Sequence, residues 1–199
     1  MLLPLTDPPP APTAVETSFT PTTVALTWAG PSLPDAAAPE FNVYTPGTAV
    51  PLNPAPLTAT SFEQPSAGFG VEQCFTVTTV TSVTNVSIES DSSEPRCVTP
   101  KDIFPPAAPQ RLRAVPSAGV MNLSWEPNAE ADLAGYIVLR GDAPGDTLQA
   151  LTPEPITATR FEDQTARAGA RYVYVVVAVD RATPRNTSAF SNRVEETAR

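Results

Sequence analysis

The run Met121-Asn122-Leu123-Ser124-Trp125 has a counterpart, Val24-Ala25-Leu26-Thr27-Trp28, that lies 97 residues earlier in a chain of 199 residues. In both runs every second residue is large and apolar, which is the pattern of a β-strand that buries one face. Each run ends on a tryptophan, and the chain has two tryptophans. The two runs predict that the chain holds two copies of one β-rich domain.

Further segments repeat at nearly the same distance. The matching segments, with the first copy named before the second, are Phe41–Tyr44 and Tyr136–Leu139, Phe62 and Phe161, Gly70 and Gly169, and Phe75–Thr79 and Tyr174–Ala178. A repeat of about 97–99 residues indicates a duplicated domain rather than a solenoid of short units.

Proline-rich segments divide the chain into linkers and domains. The expected order is a linker at 1–10, a first domain at 11–100, a second linker at 101–109 and a second domain at 110–199. Four prolines between positions 99 and 109 make the second linker a short, semi-rigid spacer. We expect its apolar residues Ile103 and Phe104 to be withdrawn from water between the domains.

Composition excludes several classes of protein. The net charge is −9, whereas proteins that bind nucleic acid carry basic patches. The chain has no histidine, which removes the commonest general base and zinc ligand. No run of about 18 apolar residues predicts a membrane span, and Met1–Leu5 is too short for the core of a signal peptide. The 25 prolines suit short strands joined by turns rather than long helices.

The strand patterns resemble those of the fibronectin type III family. The matching features are a tryptophan in strand B, an aromatic-x-Val sequence in strand C, and a Tyr-x-aromatic-x-Val-x-Ala sequence in strand F at positions 172–178. The resemblance implies an all-β fold of two consecutive seven-stranded fibronectin type III-like (immunoglobulin-like) β-sandwiches. It also implies that the Tyr172 hydroxyl bonds to the backbone near the turn between strands E and F. The implied core residues are Trp28, Phe41, Val43, Phe75, Val77, Trp125, Tyr136, Val138, Tyr172, Tyr174 and Val176.

The first copy departs from this pattern at strand F. Gln73 stands where the second copy has Tyr172, so we expect the corner hydrogen bond to be lost or weakened. Cys74 precedes Phe75, whose side chain faces inward, so the Cys74 side chain should face outward. Cys97 falls in strand G, which pairs with strand F. We therefore expect a cross-strand disulfide between Cys74 and Cys97, worth about 3 kcal/mol. Two free thiols are the alternative. A metal site would need more ligands, and no cofactor is expected.

The cysteines also bear on the cellular compartment. A disulfide implies an oxidising environment. The arrangement Cys-aromatic-x-Val … Cys-Val-Thr-Pro, followed by Asp-x-Phe-Pro-Pro-Ala-Ala-Pro, is similar to modules of bacterial cell-surface lipoproteins. We expect an extracytoplasmic location, at a bacterial cell surface, in the periplasm or secreted. The proline-rich start reads as an inter-domain linker, so we expect a fragment whose export signal lies upstream.

Few residue patterns suggest chemistry. A nucleophile elbow, a phosphate loop and a dinucleotide fingerprint are all missing from the sequence. Carboxylate pairs are formally suited to a glycosidase, but adjacent acids in loops are usually solvated. These pairs are Glu162-Asp163, Glu195-Glu196, and Glu130 with Asp132. We expect no catalytic activity.

Binding surfaces are harder to assign. Arg140-Gly141-Asp142 spells an integrin-binding tripeptide, but here it follows strand C and reads as an ordinary strand ending. We expect variable binding surfaces on the loops between strands F and G, Thr81–Val86 and Arg181–Ser188. The glycosylation sequons at Asn85, Asn122 and Asn186 are interpreted as chance.

The leading hypothesis is a non-catalytic extracytoplasmic binding or spacer module of a bacterial surface or secreted protein, with a lipoprotein fragment favoured. The alternative is a pair of accessory modules of a secreted carbohydrate-active or other hydrolase, and a direct adhesin is a third hypothesis. The expected partner is an unidentified protein or a polysaccharide, without nucleic acid and without a membrane span in this chain. The charge of −9 favours a monomer.

Overall fold

The structure is a computed structural model that describes residues 7–33, 38–83 and 86–199. Its regular elements are β-strands throughout the described ranges. A helix of the length and hydropathy needed to cross a bilayer is not found among these residues. The chain divides into two compact units, Met1–Lys101 and Asp102–Arg199. The all-β class predicted from the strand periodicity is confirmed.

The described part of the first unit forms two antiparallel sheets. One sheet has the order β1-β2-β4, and in the other β3 and β6 flank β5, which also pairs with β7. The strands are β1 Thr13–Phe19, β2 Thr23–Ala29, β3 Glu40–Tyr44, β4 Ser61–Pro65, β5 Gln73–Val83, β6 Val86–Glu89 and β7 Arg96–Val98.

The second unit repeats this plan with two differences: it has the extra short strand β11, and the single strand β14 pairs with β13 where β6 and β7 pair with β5. Its sheets have the orders β8-β9-β12 and β11-β10-β13-β14, so the short strand β11 extends the second sheet. The strands are β8 Arg113–Ser117, β9 Val120–Ser124, β10 Leu133–Asp142, β11 Gln149–Ala150, β12 Arg160–Asp163, β13 Arg171–Asp180 and β14 Val194–Thr197.

Each unit has its own core between its two sheets. The side chains that alternate inward along the strands meet there, which makes each unit a β-sandwich. The predicted core residues of the first unit are all buried in one cluster, which comprises Val24, Leu26, Trp28, Phe41, Val43, Phe75 and Val77. Those of the second unit lie in a cluster that includes Met121, Leu123, Trp125, Tyr136, Val138, Tyr172, Tyr174, Val176 and Ala178.

The two cores share an aromatic pair at equivalent positions. The rings of Trp28 and Phe41 meet edge to face with centroids 5.4 Å apart, at an interplanar angle of 70°. The rings of Trp125 and Tyr136 do the same at 5.4 Å and 69°. This geometry is favoured by the ring quadrupoles. The same contact in both units fits a duplication.

In the second linker the side chain of Ile103 is 61% exposed, whereas that of Phe104 is half-buried. The packing of these two residues between the domains stays a prediction.

Candidate functional sites

A disulfide joins Cys74 and Cys97, as predicted. The two residues are direct partners in the register of β5 and β7, with Cα atoms 4.0 Å apart. Cys97 is exposed and Cys74 is half-buried, so the bond lies on the outer side of the sheet. It closes the segment that contains β6 and fastens β7, a strand of only three residues, to β5.

The corner hydrogen bond exists in both units. In the second unit the Tyr172 hydroxyl accepts a hydrogen bond from the Arg167 N–H at 3.2 Å. In the first unit Gln73 Oε1 accepts one from the Ala67 N–H at 2.9 Å. Of the two alternatives expected for Gln73 in place of tyrosine, a lost or a weakened bond, the loss is therefore wrong. The reason is that an amide oxygen on a three-carbon side chain reaches the same turn as a phenol.

Arg140 of the integrin-type tripeptide lies inside a polar cluster. The tripeptide forms the last three residues of β10 rather than a loop after it. Arg140 Nη1 donates to Asp163 Oδ2 at 2.7 Å and to Thr165 Oγ1 at 2.8 Å. Its guanidinium also covers the Tyr172 ring, 4.6 Å from the centroid. These contacts hold the arginine against the protein and away from a receptor.

Asp163 is saturated with hydrogen bonds. Its oxygens accept from Arg140, from the Tyr174 hydroxyl at 2.9 Å, and from the N–H and hydroxyl of Thr165 at 2.9 and 2.7 Å. Burial alone would raise the pKa of Asp163, but the bonds from Thr165, Arg140 and Tyr174 outweigh it and lower that pKa. Burial and the neighbouring Asp163 carboxylate raise the pKa of Tyr174. The cluster holds Asp163 ionised and Tyr174 protonated.

Gly141 has a packing role in the same strand. A Cβ atom at this position would collide with the carbonyl oxygen of Thr147. The loop after β10 therefore passes directly over a residue that has no side chain. Asp142 is exposed at the end of the strand. Arg140 and Gly141 thus each have a structural role in this fold.

The remaining carboxylate pairs are separated or engaged. Glu162 and Asp163 point to opposite faces of β12, one exposed and one buried. Glu130 accepts a hydrogen bond from the Ala107 N–H at 2.6 Å. Burial favours a higher pKa for Glu130, but bonds from backbone N–H groups, Ala107 first, outweigh it and lower the pKa. Glu195 lies 3.0 Å from the guanidinium of Arg171. Asp163, Glu130 and Glu195 thus pair with other groups of the protein.

Three carboxylates of the second unit converge. The oxygens of Asp102, Asp132 and Asp180 lie within 4.8 Å of one another. Asp180 is fully buried and accepts from the N–H groups of Ala182 and Asn186 at 3.1 and 2.8 Å, and from Asn186 Nδ2 at 2.7 Å. These bonds fold the loop after β13 back on itself. The side-chain amide of Asn186, a sequon residue, is therefore engaged in a hydrogen bond to Asp180.

The first of the two predicted binding loops is largely strand. Residues 81–83 continue β5, and Val83 pairs with Val86 at the start of β6. This part of the first unit is an extended hairpin, because the Thr/Ser/Val sequence favours strand over loop. Residues 84 and 85, with the sequon Asn85, lie outside the described residues. The sequon at Asn122 is in β9, where its amide donates to Ser117 Oγ at 3.0 Å.

A serine pair in each unit was not predicted from the sequence. Ser90 and Ser93 accept hydrogen bonds from the N–H groups of Thr79 and Val77 at 2.9 and 3.0 Å, and so bridge the backbone to β5. In the second unit two serines make the equivalent bonds to β13. They are Ser188, bonded to the Ala178 N–H at 2.8 Å, and Ser191, bonded to the Val176 N–H at 3.0 Å. The detectable signal was a Ser-x-x-Ser sequence in both halves.

Comparison with known proteins supports the fold. No known family profile matches the chain. A segment of two fibronectin type III domains from chicken tenascin aligns with 95% of this chain and 100% of that segment, with 17% identity and a TM-score of 0.51. An Fn3-like protein from Clostridium thermocellum aligns with 48% of this chain and 96% of its own, with 26% identity and a TM-score of 0.42. The predicted resemblance to tandem fibronectin type III domains is confirmed.

One curated protein shares sequence with part of the chain. Over 80 residues, 40% of this chain, the sequence is 31% identical to an amylopullulanase of Thermoanaerobacterium saccharolyticum. The matched part spans 6% of the length of that protein. The match to this protein covers only a small part of its length, and the fibronectin type III-like fold of both units rests on the structural comparison.

Proposed function

We propose that this chain is a non-catalytic extracytoplasmic module of a bacterial surface or secreted protein, and that it spaces or presents other parts of that protein or binds a partner. The observation that carries the proposal is that ionisable side chains in the interior of the second unit are hydrogen-bonded to other groups of the protein. Arg140 and Tyr174 both donate hydrogen bonds to Asp163 inside a fibronectin type III-like sandwich. A catalytic site needs such groups free to exchange protons with a substrate.

The Cys74–Cys97 disulfide supports the extracytoplasmic location. Disulfides persist in oxidising compartments and are rare in the bacterial cytosol. We further propose the linkers at 1–10 and 101–109 and the domains at 11–100 and 110–199 as the functional divisions, of which residues 1–6 lie outside the described residues. The partner would be a protein or a polysaccharide, no cofactor would be needed, and the chain would be monomeric.

Fractionation of the source cells tests this proposal. An antibody against the two units should find the protein in the envelope or the medium. Recovery of the protein in the cytosol would contradict the extracytoplasmic function. If the protein is a lipoprotein, as its linker sequence favours, mass spectrometry of the envelope form should show a lipidated N-terminal cysteine upstream of Met1.

The amylopullulanase match favours a second candidate. In this alternative the two units are accessory modules of a secreted carbohydrate-active or other hydrolase. The feature that separates the two candidates is a catalytic domain in the same polypeptide. The mass of the mature protein, followed by an assay of polysaccharide hydrolysis, decides between them. A mature protein without a further domain and without hydrolysis would exclude the alternative.

A further inference from the structure

The outer face of sheet β8-β9-β12 carries two arginines in one cross-strand row. Ser124 of β9 pairs with Arg113 of β8 on one side and with Arg160 of β12 on the other. All three side chains are exposed, whereas the next residues, Ala114 and Phe161, turn inward and pack on the core. The strand alternation therefore places both guanidinium groups on the same solvent-facing side.

Neither arginine is neutralised by the protein. Within the described ranges, the ion pairs and side-chain hydrogen bonds do not include Arg113 or Arg160. Two acids lie nearby. Glu126 is already engaged with Arg111 at 2.9 Å, and Glu162 shares the face of β12 with Arg160 but is not ion-paired with it. Two solvated positive charges thus flank one hydroxyl.

The row has the geometry of a site for acidic groups. Arg113 and Arg160 are two strand spacings apart, or about 10 Å between Cα atoms. Ser124 lines a shallow depression on each side, one with Arg111, Arg113 and Glu126 and one with Ala158, Arg160 and Glu162. Each guanidinium offers a fork of donors that matches a carboxylate or sulfate in two bonds. The hydroxyl between them can donate to the same ligand.

The fold does not require this row. At the equivalent positions of the first unit the pairing register joins Glu16, Thr27 and Ser61. These three side chains are also exposed. One unit therefore carries two positive charges where the other carries one negative charge, on the same scaffold. The first unit is a natural negative control for any function of the row.

We propose that Arg113, Ser124 and Arg160 form a binding site for a linear acidic polysaccharide. The proposal deepens the proposed binding function and rests on it. Protein partners usually anchor aromatic side chains in pockets, whereas this face is open and shallow, with its aromatic residue Phe161 turned to the core. The net charge of −9 opposes the dense phosphate chain of a nucleic acid. A hydroxyl-rich polymer with one carboxylate per sugar is less densely charged than duplex DNA, which has one phosphate per about 1.7 Å, and it matches two separated arginines and a serine.

Calorimetric titration of the whole chain with polygalacturonate tests the site. Binding is expected at low salt and should weaken as the salt concentration rises, because salt screens the attraction between the exposed arginines and the carboxylates of the polymer. The Arg113→Gln/Arg160→Gln variant should bind at least about tenfold more weakly. Glu162→Gln, which removes an acid from the same face, should bind more tightly. Neutral dextran should not bind.

A charge-matched control separates the site from general electrostatics. Arg167 and Arg199 lie at the opposite end of the second unit, where Arg199 O accepts from the N–H of Gly119 in the turn between β8 and β9. Arg167→Gln/Arg199→Gln removes the same charge and should leave binding unchanged. Equal weakening by both double variants, or wild-type binding by Arg113→Gln/Arg160→Gln, would overturn the proposal.

Transfer of the row provides a gain-of-binding test. Glu16→Arg/Ser61→Arg builds the two arginines into the first unit and should restore binding to the Arg113→Gln/Arg160→Gln protein. Dextran sulfate in place of polygalacturonate shows whether sulfate or carboxylate is preferred. Tighter binding of duplex DNA than of either polymer would overturn the polysaccharide assignment. The fractionation experiment is independent of these results, so failure of the site leaves the extracytoplasmic function to its own test.

Discussion

Gln73 Oε1 accepts a hydrogen bond from the Ala67 N–H at 2.9 Å, at the corner where Tyr172 serves the second unit. The first unit therefore keeps the corner contact with a smaller side chain, and the adjacent Cys74–Cys97 disulfide holds the same end of β5. The second unit stabilises its corner with tyrosines and a buried ion pair instead. The same corner contact is thus made by an amide oxygen in the first unit and by a phenol oxygen in the second.

Removal of the Gln73 amide should destabilise the first unit alone. Gln73→Ala leaves the Ala67 N–H without its side-chain acceptor, and the cost of one hydrogen bond is about 1 kcal/mol. Calorimetric melting of the whole chain measures it. The exposed neighbour Glu72 provides the control, since Glu72→Ala should change the melting by less than about 0.5 kcal/mol. Equal melting of Gln73→Ala and wild type would show that the contact contributes nothing.

Reduction of the disulfide should lower the stability of the first unit by about 3 kcal/mol. Cys74→Ser/Cys97→Ser should reproduce the effect, because both treatments release the loop that β7 closes. Urea unfolding with and without reductant measures the change, and the second unit, which has no cysteine, should unfold unchanged. A first unit that is equally stable after reduction would refute the stabilising role.

Asp163 should make the second unit sensitive to acid. Its pKa in the folded protein is lowered from 3.8, so its contacts stabilise the unit above that pH and are lost as the pH falls through the lower folded value. At pH 7, Asp163→Asn leaves Arg140 without its counter-ion and should cost about 3 kcal/mol. The variant should also lose less stability than wild type between neutral pH and pH values below about 4. Glu162→Gln on the exposed face is the control, and an unchanged acid profile in Asp163→Asn would contradict this role.

Thr79→Val should stabilise the first unit. Within the described residues, the Thr79 hydroxyl is buried without a hydrogen-bond partner, and the equivalent residue of the second unit is Ala178. Replacing an unsatisfied hydroxyl by a methyl group should gain about 1 kcal/mol. The adjacent Thr78→Val should have the opposite sign, because the Thr78 hydroxyl donates to Glu89 Oε2 at 3.0 Å. Chemical denaturation of both variants compares the two signs, and destabilisation by Thr79→Val would disprove the account.

Asp142→Ala should leave cell attachment unchanged. Arg140 is bound to Asp163 and cannot present the tripeptide without breaking that ion pair. Integrin-bearing cells should therefore attach equally weakly to surfaces coated with wild type and with the variant. Strong attachment to wild type that is lost in Asp142→Ala would restore the adhesin hypothesis.

Local patterns were enough to predict the duplication, the sandwich class and the disulfide. Trp28 and Trp125 mark the same strand in each copy, and period-two alternation identifies which side chains face inward. Cys74 and Phe75 are neighbours in one strand, so their side chains point to opposite faces. Because Phe75 faces inward, the sulfur of Cys74 could be predicted on the outer face. These inferences depend on neighbours along one strand, which the sequence displays directly.

Contacts between distant strands could not be predicted in the same way. Arg140 and Asp163 are 23 positions apart, and neither residue alone indicates that the other neutralises it. Gln73 was judged by its chemical difference from tyrosine, whereas its reach to Ala67 depends on the shape of the turn. The Arg113–Ser124–Arg160 row becomes visible only with the pairing register of three strands.

We propose above all that this protein works in an oxidising, extracytoplasmic compartment. Alkylation of intact source cells, followed by mass spectrometry of the isolated protein, tests it most directly. The account predicts that the peptides containing Cys74 and Cys97 are recovered joined by a disulfide from the envelope or the medium. Recovery of both cysteines alkylated, in protein from the cytosol, would contradict it.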